Sequence, residues 1–333
     1  MTRTAIFGSG SWGTAFAAVL ADAGGEAVLH ARRREVAEAI NADHVNATYL
    51  PDLTLPDAVS ATDDPEEAAR GADMVVLAIP AQTLRDNLST WGHHLPDGVP
   101  VVSLMKGIEL GTGLRMSEVI HQVAGVADAQ VVVLSGPNLS REIAARQPAA
   151  SVVACSDLGT AELVAQACAT PTFRPYTQTD VIGTEIGGAV KNVIALAVGM
   201  AEGLGYGDNT KATIITRGLA ETARLGAALG ADPATLMGLA GVGDLIATCM
   251  SPLSRNHSFG VNLGRGMSVE EVVAITSQTA EGVKSCRSVL DLAGRHGVDM
   301  PICAGVTAVV EHAMDVRELG DQLMSRPHKH ERH

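Results

Sequence analysis

The chain is short of basic residues, aromatic residues and long apolar runs. Its 333 residues carry 24 Lys and Arg against 37 Asp and Glu, and the net charge of −13 argues against nucleic-acid binding through bulk positive charge. Phe, Trp and Tyr make up only 3% of the chain, so its core must be built from Ala, Val, Leu and Ile. No apolar run approaches the ~20 residues that cross a bilayer, so we expect no membrane span.

Cysteine is sparse and dispersed. An odd number of cysteines with no Cys-x-x-Cys pair is typical of reduced core thiols rather than of disulfides or a zinc site. We therefore expect a cytoplasmic protein without a metal, and since Met-Thr-Arg-Thr leads straight into an apolar strand, no signal peptide. The five cysteines are Cys155, Cys168, Cys249, Cys286 and Cys303.

A glycine-rich turn lies near the start of the chain. Gly8, Gly10 and Gly13 stand in Gly-Ser-Gly-Ser-Trp-Gly, between an apolar strand at residues 4–7 and an apolar helix. In such a setting the first glycine permits the tight turn, the second admits a pyrophosphate to the backbone, and the third lets the helix lie close to the sheet. The helix N-terminus then offers N–H groups to the phosphates. The spacing and its context predict a dinucleotide-binding site.

Short strands and helices alternate up to about residue 180. Because residues 74–79 are continuously apolar, as in a parallel strand covered on both faces, we predict a Rossmann-like doubly wound parallel α/β sheet over residues 1–180. Asp64, Pro65 and Glu67 predict a helix that starts with a capping box. The other predicted strands are residues 27–30, 99–105, 131–134, 151–155 and 172–176.

Strand patterns nearly vanish after residue 180. Alanine- and glycine-rich helical patterns predict an all-helical substrate domain over residues 181–323, with a capping box at Ser268-x-x-Glu271. The tail, residues 324–333, is polar and basic, and we expect it to be disordered. The predicted helices cover residues 185–202, 210–229, 234–248, 269–275, 281–295 and 304–315.

The end of the second strand bears on the choice of cofactor. NAD-binding folds of this type place an acidic residue there to hold the ribose hydroxyls, but this chain has Arg32 and Arg33. Arginine binds the extra phosphate of NADP, so the sequence favours NADP(H). Two alternatives stay open, namely NAD(H) as the cofactor and an ordinary solvated start to the next helix.

Polar segments interrupt apolar or glycine-rich surroundings at several points. Lys106 and the run Gly136-Pro137-Asn138 each follow a predicted strand, where ligands bind in sheets of this type. A second polar run in the helical region comprises residues 241–244, which end in Asp244, and Ser254-Arg255-Asn256. Each segment alone is also compatible with a turn, a helix cap or an exposed charge.

Lys191 lies inside an otherwise apolar predicted helix. Buried lysines are rare and their pKa falls, which makes them usable as proton donors or acceptors. Gly187 and Gly188 precede it by one turn, and we expect them to leave room for a ligand against the helix.

Taken together, these segments resemble the bacterial NAD(P)-dependent glycerol-3-phosphate dehydrogenase family. Any one run is modest, but they follow the family's order across nearly the whole chain. The matching runs are Gly-Ser-Gly-Ser-Trp-Gly-Thr-Ala at 8–15, Tyr-Leu-Pro at 49–51, Lys-Gly-Ile-Glu at 106–109, Ser-Gly-Pro-Asn at 135–138, Lys-Asn-Val-Ile-Ala at 191–195, Gly-Asp-Leu at 243–245, Ser-Arg-Asn at 254–256 and Glu-Gly at 281–282.

The resemblance implies a C-terminal domain of the 6-phosphogluconate dehydrogenase type, a homodimer, and reduction of dihydroxyacetone phosphate for phospholipid synthesis, with Lys191 as the acid/base. The family often has Ser or Thr at Asn138 and Ala at Ser140. The implied substrate contacts are Lys106, Gly136, Asn138, Lys191, Asp244, Ser254, Arg255 and Asn256. The implied cofactor contacts are Gly8, Gly10, Ser11, Trp12, Gly13, Arg32, Arg33, Tyr49, Lys106, Ser140, Arg255 and Glu281.

Two other functions are open to the sequence. A hydroxy-acid dehydrogenase of the same two-domain architecture would bind its carboxylate through Arg255 equally well. A non-catalytic NADP(H) sensor would keep the glycine turn, but it would need neither Lys191 nor the run at residues 254–256.

Overall fold

The computed structural model of the chain describes residues 2–276 and 280–327. Its strands are β1 (Arg3–Phe7), β2 (Glu26–His30), β3 (Val45–Asn46), β4 (Leu50–Thr54), β5 (Val59–Thr62), β6 (Met74–Leu77), β7 (Val101–Ser103), β8 (Val131–Ser135), β9 (Ala149–Ala154) and β10 (Phe173–Gln178). Eight of them form one sheet in the order β10-β9-β8-β7-β6-β1-β2-β5, and β3 pairs with β4 in a separate antiparallel hairpin.

The sheet is covered on both faces, as a doubly wound sheet requires. The helices of this half are α1 (Ser11–Asp22), α2 (Arg34–Asp43), α3 (Pro65–Ala69), α4 (Leu84–Trp91), α5 (Met116–Ala124), α6 (Ser140–Ala144) and α7 (Leu158–Cys168). Ile6 of β1 packs in one apolar cluster with α1 and α7, while its neighbours Ala5 and Phe7 pack in another with α4 and α5. The predicted Rossmann-like class is therefore confirmed.

The sheet is not parallel throughout. β9 runs antiparallel to β8, and β10 is parallel to β9, so this edge reverses the direction of the other six strands. The helix between β8 and β9 has only five residues. At 1.5 Å per residue it extends roughly 7.5 Å, less than half the length of a five-residue strand, so it does not carry the chain back for a parallel pairing. The nearly continuous apolar pattern of β9 is also that of a parallel strand, and the predicted parallel direction was wrong at this edge.

Helices make up the described part of the chain beyond β10, which confirms the all-helical C-terminal region. β10 ends at Gln178 and α8 begins at Val181. The division at residue 180 into a dinucleotide domain and a substrate domain stays a prediction. The helices are α8 (Val181–Gly203), α9 (Asp208–Ala228), α10 (Pro233–Leu236), α11 (Asp244–Met250), α12 (Arg255–Gly264), α13 (Val269–Ile275), α14 (Glu281–Arg295), α15 (Pro301–His312) and α16 (Val316–Met324).

Helix α8 is the central helix of this region. Its side chains from residue 183 to residue 201 are all buried, and α9, α11, α12 and α14 surround it. A Cβ on Gly199 would lie 2.1 Å from the carbonyl oxygen of His257, and one on Gly260 would lie 2.2 Å from that of Leu196. Glycine at these positions therefore lets the backbones of α8 and α12 touch.

Two stretches pass a length and hydropathy test for crossing a membrane, contrary to the expectation from the apolar runs. Residues 181–203 have a mean hydropathy of 1.5, and 89% of the tested window is buried inside the protein. Residues 233–250 have a mean hydropathy of 1.3 with 44% buried. The core helix of a soluble fold passes the same test, and α8 is such a helix because other helices surround it.

Several predicted elements differ from the structure. The predicted helix 234–248 is divided into α10, a π-helical turn (Leu239–Gly243) and α11, since glycines at 238, 241 and 243 interrupt the regular helix. The expected disordered tail is wrong for residues 324–327, because Met324 ends α16 and Arg326 pairs with Asp299 at 2.6 Å. The rest of the tail, residues 328–333, lies outside the described residues.

The two predicted capping boxes have different outcomes. At α13, Ser268 and Glu271 each accept from the other's backbone N–H, so this box is confirmed. At α3, Asp64 accepts from the first-turn N–H groups as expected, but Glu67 bonds to the hydroxyl of Thr62 instead. The Thr62 hydroxyl also accepts from the N–H of Asp64, so the second half of the box was wrong.

Candidate active site

The glycine turn joins β1 to α1. Gly8 has φ +119°, and a Cβ there would lie 2.5 Å from the carbonyl oxygen of Ala78. A Cβ on Gly13 would lie 2.0 Å from the carbonyl oxygen of Gly8, whereas nothing lies within 4 Å of one on Gly10. Gly8 thus permits the tight turn, Gly13 permits close packing of α1 against that turn, and Gly10 borders open space.

The same turn fits a dinucleotide pyrophosphate. Helix α1 begins at Ser11 with Gly10 as its N-cap, and no side chain caps its first N–H groups. Open space beside Gly10 and uncapped N–H groups at a helix N-terminus are what bound phosphates need. Trp12 packs against Phe16 with ring centroids 5.6 Å apart, and its buried Nε1 has no hydrogen-bond partner among the described residues.

Arg32 and Arg33 lie just beyond the carboxyl end of β2. His30, the last residue of β2, pairs with Phe7 of β1, so the arginines and the glycine turn share one edge of the sheet. Both side chains are exposed, and Arg33 is the N-cap of α2, with its Nε 3.8 Å from the Glu35 carboxylate. The position is compatible with the predicted contact to a ribose phosphate.

Three predicted site residues meet at the carboxyl edge of the sheet against α8 and α11. Asp244 is 1% exposed, and one of its carboxylate oxygens accepts a short hydrogen bond from Lys191 Nζ. The other accepts from Lys106 Nζ at 2.7 Å. Lys106 also donates to the carbonyl oxygen of Gly136 at 2.9 Å, and Lys191 donates to Thr248 Oγ1 at 2.6 Å. One buried carboxylate therefore holds both ammonium groups.

The environment of Lys191 changes its acidity. Burial lowers the pKa of Lys191 to about 8, because desolvation disfavours the ammonium and outweighs the attraction of Asp244, while Lys106 lowers it further. A group with this pKa exchanges a proton near neutral pH, which is what general acid–base catalysis requires.

The predicted run Ser254-Arg255-Asn256 opens α12. Ser254 caps the helix by accepting from the N–H of His257 at 3.3 Å, and Arg255 is exposed in the first turn. Asn256 is buried and donates from Nδ2 to Asn192 at 2.9 Å, while its Oδ1 accepts from the N–H of Gly282 at 2.8 Å. Asn192, adjacent to Lys191, joins this run to the lysine network by donating to the carbonyl oxygen of Lys106 at 3.3 Å.

Glu281 is the first residue of α14. Burial raises the pKa of its carboxyl, an effect that Arg255 and Lys284 oppose. Its Oε2 is buried and has no hydrogen-bond partner among the residues that the structure describes. Glu281 therefore lies within electrostatic reach of Arg255, close to the start of α12.

Residues after β8 line the adjoining edge. Gly136 has φ +144°, a conformation that favours glycine, and Ser140 begins the short helix α6. Asn138 Oδ1 accepts from the Ser151 hydroxyl at 2.5 Å. Its Nδ2 is buried, and within the described ranges it has no hydrogen-bond partner. Burying an amide N–H without a hydrogen bond costs free energy, and a ligand oxygen that accepted a hydrogen bond here would offset this cost.

The expectation for Gly187 and Gly188 was wrong. A Cβ on Gly187 would lie 2.4 Å from the carbonyl oxygen of Ala240, and one on Gly188 would lie 3.0 Å from Ser135 Oγ and 3.3 Å from Lys106 Cγ. These glycines do not leave space for a ligand. They let α8 approach the π-helical turn and the Lys106 side chain, which brings Lys106 and Lys191 to the same carboxylate.

Sequence reasoning missed two residues of the network. Thr248 follows Asp244 by four positions on α11, and this spacing places both on one helix face beside Lys191. Asn192 follows Lys191 in the Lys-Asn pair.

Glu109, the last residue of the Lys-Gly-Ile-Glu run, accepts two 2.9 Å hydrogen bonds from Arg85 and thereby anchors the loop that carries Lys106.

No metal-binding group is found in the described ranges 2–276 and 280–327, where no three or more His, Cys, Asp or Glu side chains cluster suitably. The cysteines are all buried and free. The prediction that the protein needs no metal stays a prediction.

The fold and the site together define a nicotinamide-dinucleotide-dependent oxidoreductase with a helical second region. Family models described as the N-terminus and the C-terminus of NAD-dependent glycerol-3-phosphate dehydrogenase match residues 3–161 and 180–321. The chain belongs to this family, and the predicted dependence on NAD(P) and the predicted oxidoreductase class are confirmed.

Individual relatives agree with the family match. A Streptomyces griseus protein named glycerol-3-phosphate dehydrogenase (NAD(P)+) is 62% identical over 330 residues, which cover 99% of this chain and 98% of the relative. One of the same name from Thermobifida fusca is 61% identical over 100% of this chain and 99% of its own. The crystal structure of a Coxiella burnetii glycerol-3-phosphate dehydrogenase superposes with a TM-score of 0.92, at 32% identity, over 98% of this chain and 99% of that one.

Proposed function

We propose that the protein interconverts dihydroxyacetone phosphate and sn-glycerol 3-phosphate with NADP(H) as the favoured cofactor, and that reduction supplies glycerol phosphate for phospholipid synthesis in the cytoplasm. The observation that carries this proposal is the pair Lys106 and Lys191 held by one buried carboxylate, next to the start of α12. When bound, the nicotinamide cofactor supplies or accepts the hydride.

Lys191 is the proposed acid/base. As the substrate carbonyl is reduced, its oxygen gains negative charge, which the Lys191 ammonium stabilises before giving up a proton. The neutral amine removes the proton in the reverse direction. Asp244 and Thr248 fix the position of Lys191 Nζ, so the proton donor needs little reorganisation.

Asp244 acts in this proposal as a positioning residue. The resemblance implies that Asp244 contacts the substrate, but a carboxylate repels a phosphate and both oxygens of Asp244 already hold ammonium groups. The phosphate is instead bound by Ser254, Arg255 and Asn256 at the N-terminus of α12. Guanidinium and amide donors at a helix N-terminus suit a phosphate dianion.

Gly136 and Asn138 complete the proposed substrate site at the edge of β8. The other proposed cofactor contacts are Gly8, Gly10, Ser11, Trp12, Gly13, Arg32, Arg33, Tyr49, Lys106, Ser140, Arg255 and Glu281. We also propose a homodimer, in which the alanine-rich helical region packs against a second copy of the chain.

The decisive assay mixes purified protein with NADPH and dihydroxyacetone phosphate and follows the nicotinamide absorbance, with NADH in a parallel arm. We expect rapid oxidation of NADPH and slower oxidation of NADH. The competing hydroxy-acid dehydrogenase is tested by replacing the substrate with small 2-oxo acids. Oxidation with 2-oxo acids but not with dihydroxyacetone phosphate would overturn the proposal, and binding of NADPH without any turnover would favour a sensor.

The proposed cofactor preference has its own test. Replacing Arg32 and Arg33 together with alanine should raise the Kd for NADPH by about tenfold to a hundredfold, because charge-assisted hydrogen bonds to the ribose phosphate are lost, and leave the Kd for NADH nearly unchanged. Arg34→Ala is the matched control, since Arg34 is exposed and bonds to Glu38 at 2.8 Å. Equal weakening of both cofactors in the double variant would contradict the assignment.

A further inference from the structure

Asn46, in the β3–β4 hairpin, contacts the glycine turn although it lies far from it in sequence. It is 2% exposed. Its Nδ2 donates to the carbonyl oxygen of Ser9 at 2.8 Å and to Thr14 Oγ1 at 2.9 Å, so both amide hydrogens are used. Ser9 lies between the first two glycines of the turn, and Thr14 lies in the first turns of α1.

The bond to Ser9 fixes the peptide plane that leads into Gly10. In a trans peptide the C=O and the following N–H point in opposite directions. Because Asn46 holds the Ser9 carbonyl towards the hairpin, the Gly10 N–H points away from it. In the part of the chain that the structure describes, this N–H has no hydrogen-bond partner, and the space beside Gly10 is open.

Asn46 also ties the hairpin to the turn. The N–H of Tyr49 donates to the Asn46 carbonyl oxygen at 3.1 Å, and Asn46 pairs with Leu50 across the hairpin. The strand register shifts between Val45 and Asn46, and irregularities of this kind redirect a side chain. The hairpin that carries Tyr49 is thus held against the proposed cofactor site through one side chain.

The side chain is suited to donating rather than accepting. Its Oδ1 is buried and has no hydrogen-bond partner among the described residues, which costs stability. Both of its hydrogens are nevertheless bonded. An aspartate of the same shape could not make the bond to the Ser9 carbonyl.

We infer that Asn46 is a positioning residue for dinucleotide binding: it orients the Ser9–Gly10 peptide so that the Gly10 N–H is available to the pyrophosphate. The inference rests on the proposed binding of NAD(P)(H). It predicts a loss shared by NADPH and NADH, because the pyrophosphate is common to both, unlike the selective loss expected for Arg32 and Arg33.

The test measures cofactor binding directly. Titration of Asn46→Ala and Asn46→Asp with NADPH and with NADH, followed by nucleotide fluorescence, should give Kd values raised about tenfold or more, by a similar factor for each cofactor. The value of kcat at saturating cofactor should change less than twofold, since Asn46 does not touch the lysine network. A purely structural tie would instead lower Tm and leave both Kd values unchanged.

Asn41→Ala is the matched control. Asn41 makes two hydrogen bonds to the backbone of Ala61, at 2.7 and 2.8 Å, and so ties α2 to β5 in the same half of the chain without contacting the glycine turn. Its Kd values should match the wild type. An equal rise in Asn41→Ala, or unchanged Kd values in folded Asn46→Ala, would overturn the inference.

A second variant keeps the inference testable if both Asn46 variants fail to fold. Thr14→Val removes one acceptor of Asn46, together with the 3.4 Å hydrogen bond from the Thr14 hydroxyl to the Ser9 carbonyl oxygen, while keeping the side-chain shape. It should raise both Kd values by about twofold to fivefold. No change in folded Thr14→Val would then count against the inference. If the wild type bound neither dinucleotide, the proposed function itself would fail, whereas equal binding by wild type and variants would defeat the inference alone.

Discussion

Replacing Lys191 with methionine should lower kcat for the reduction of dihydroxyacetone phosphate by about 10³-fold while the Kd for NADPH stays within about twofold. The reason is that methionine fills a similar volume but can neither stabilise negative charge on the substrate oxygen nor deliver a proton. Stopped-flow measurement of NADPH oxidation gives kcat, and fluorescence titration gives the Kd.

The pH profile makes this prediction sharper. With a pKa of about 8, Lys191 is mostly protonated at pH 7, so the rate of reduction should fall as the pH rises through 8. Oxidation of glycerol 3-phosphate needs the neutral amine, so its rate should rise over the same interval. In Lys191→Met the residual activity should lose this titration in both directions.

Lys211→Met controls for the loss of a lysine as such. Lys211 pairs with Glu202 and Asp208 at 3.3 and 3.0 Å in the helical region and makes no contact with the lysine network. Its activity should be close to wild type. Near-normal turnover in folded Lys191→Met would remove the acid/base assignment.

Local patterns in the sequence were sufficient for part of this site. The glycine turn could be predicted because its requirements, a strand, a positive φ at Gly8 and a helix N-terminus, all fall within a few residues. Burial of Lys191 followed from its position inside an otherwise apolar predicted helix. Both inferences rest on neighbours in sequence, where periodicity and backbone preference are informative.

The rest of the site could not be predicted, because it depends on contacts between residues that are distant in sequence. Asp244 is 53 positions from Lys191 and 138 from Lys106, and no spacing rule predicts that one carboxylate holds both. Asn46 had no predicted role for the same reason, since its partners Ser9 and Thr14 lie 37 and 32 positions away. The reversed direction of β9 escaped prediction because β9 is apolar at nearly every position, which is the pattern of a parallel strand covered on both faces.

Asp244→Asn should have the second largest effect, a loss of about 10²-fold in kcat, or about 2.7 kcal/mol in the activation free energy. The cause is the loss of a buried counter-charge, which leaves both lysines uncompensated. The amide keeps the shape of the carboxylate but not its charge. Lys106 and Lys191 would then lie together without a counter-charge.

The pH dependence of the rate of reduction should also change in Asp244→Asn, because Asp244 contacts Lys191. Asp244 raises the pKa of Lys191, whereas burial and Lys106 lower it. Without the carboxylate only the lowering effects remain, so the pKa should fall below about 8. The decline in the rate of reduction with rising pH should therefore move to lower pH in Asp244→Asn. An unchanged pH profile would show that Asp244 does not act through Lys191.

Glu185→Gln separates this effect from a general loss of stability. Glu185 is also a buried carboxylate, on the same helix as Lys191, and it bonds to Arg115 at 2.7 Å and to the N–H of Ser117 at 2.8 Å. Its replacement should lower Tm, since it too breaks a buried pair. The pH profile should nevertheless stay that of the wild type, because Glu185 does not contact Lys191. If the pH profile shifted in both variants, the shift would reflect a general loss of stability and not the loss of the charge of Asp244.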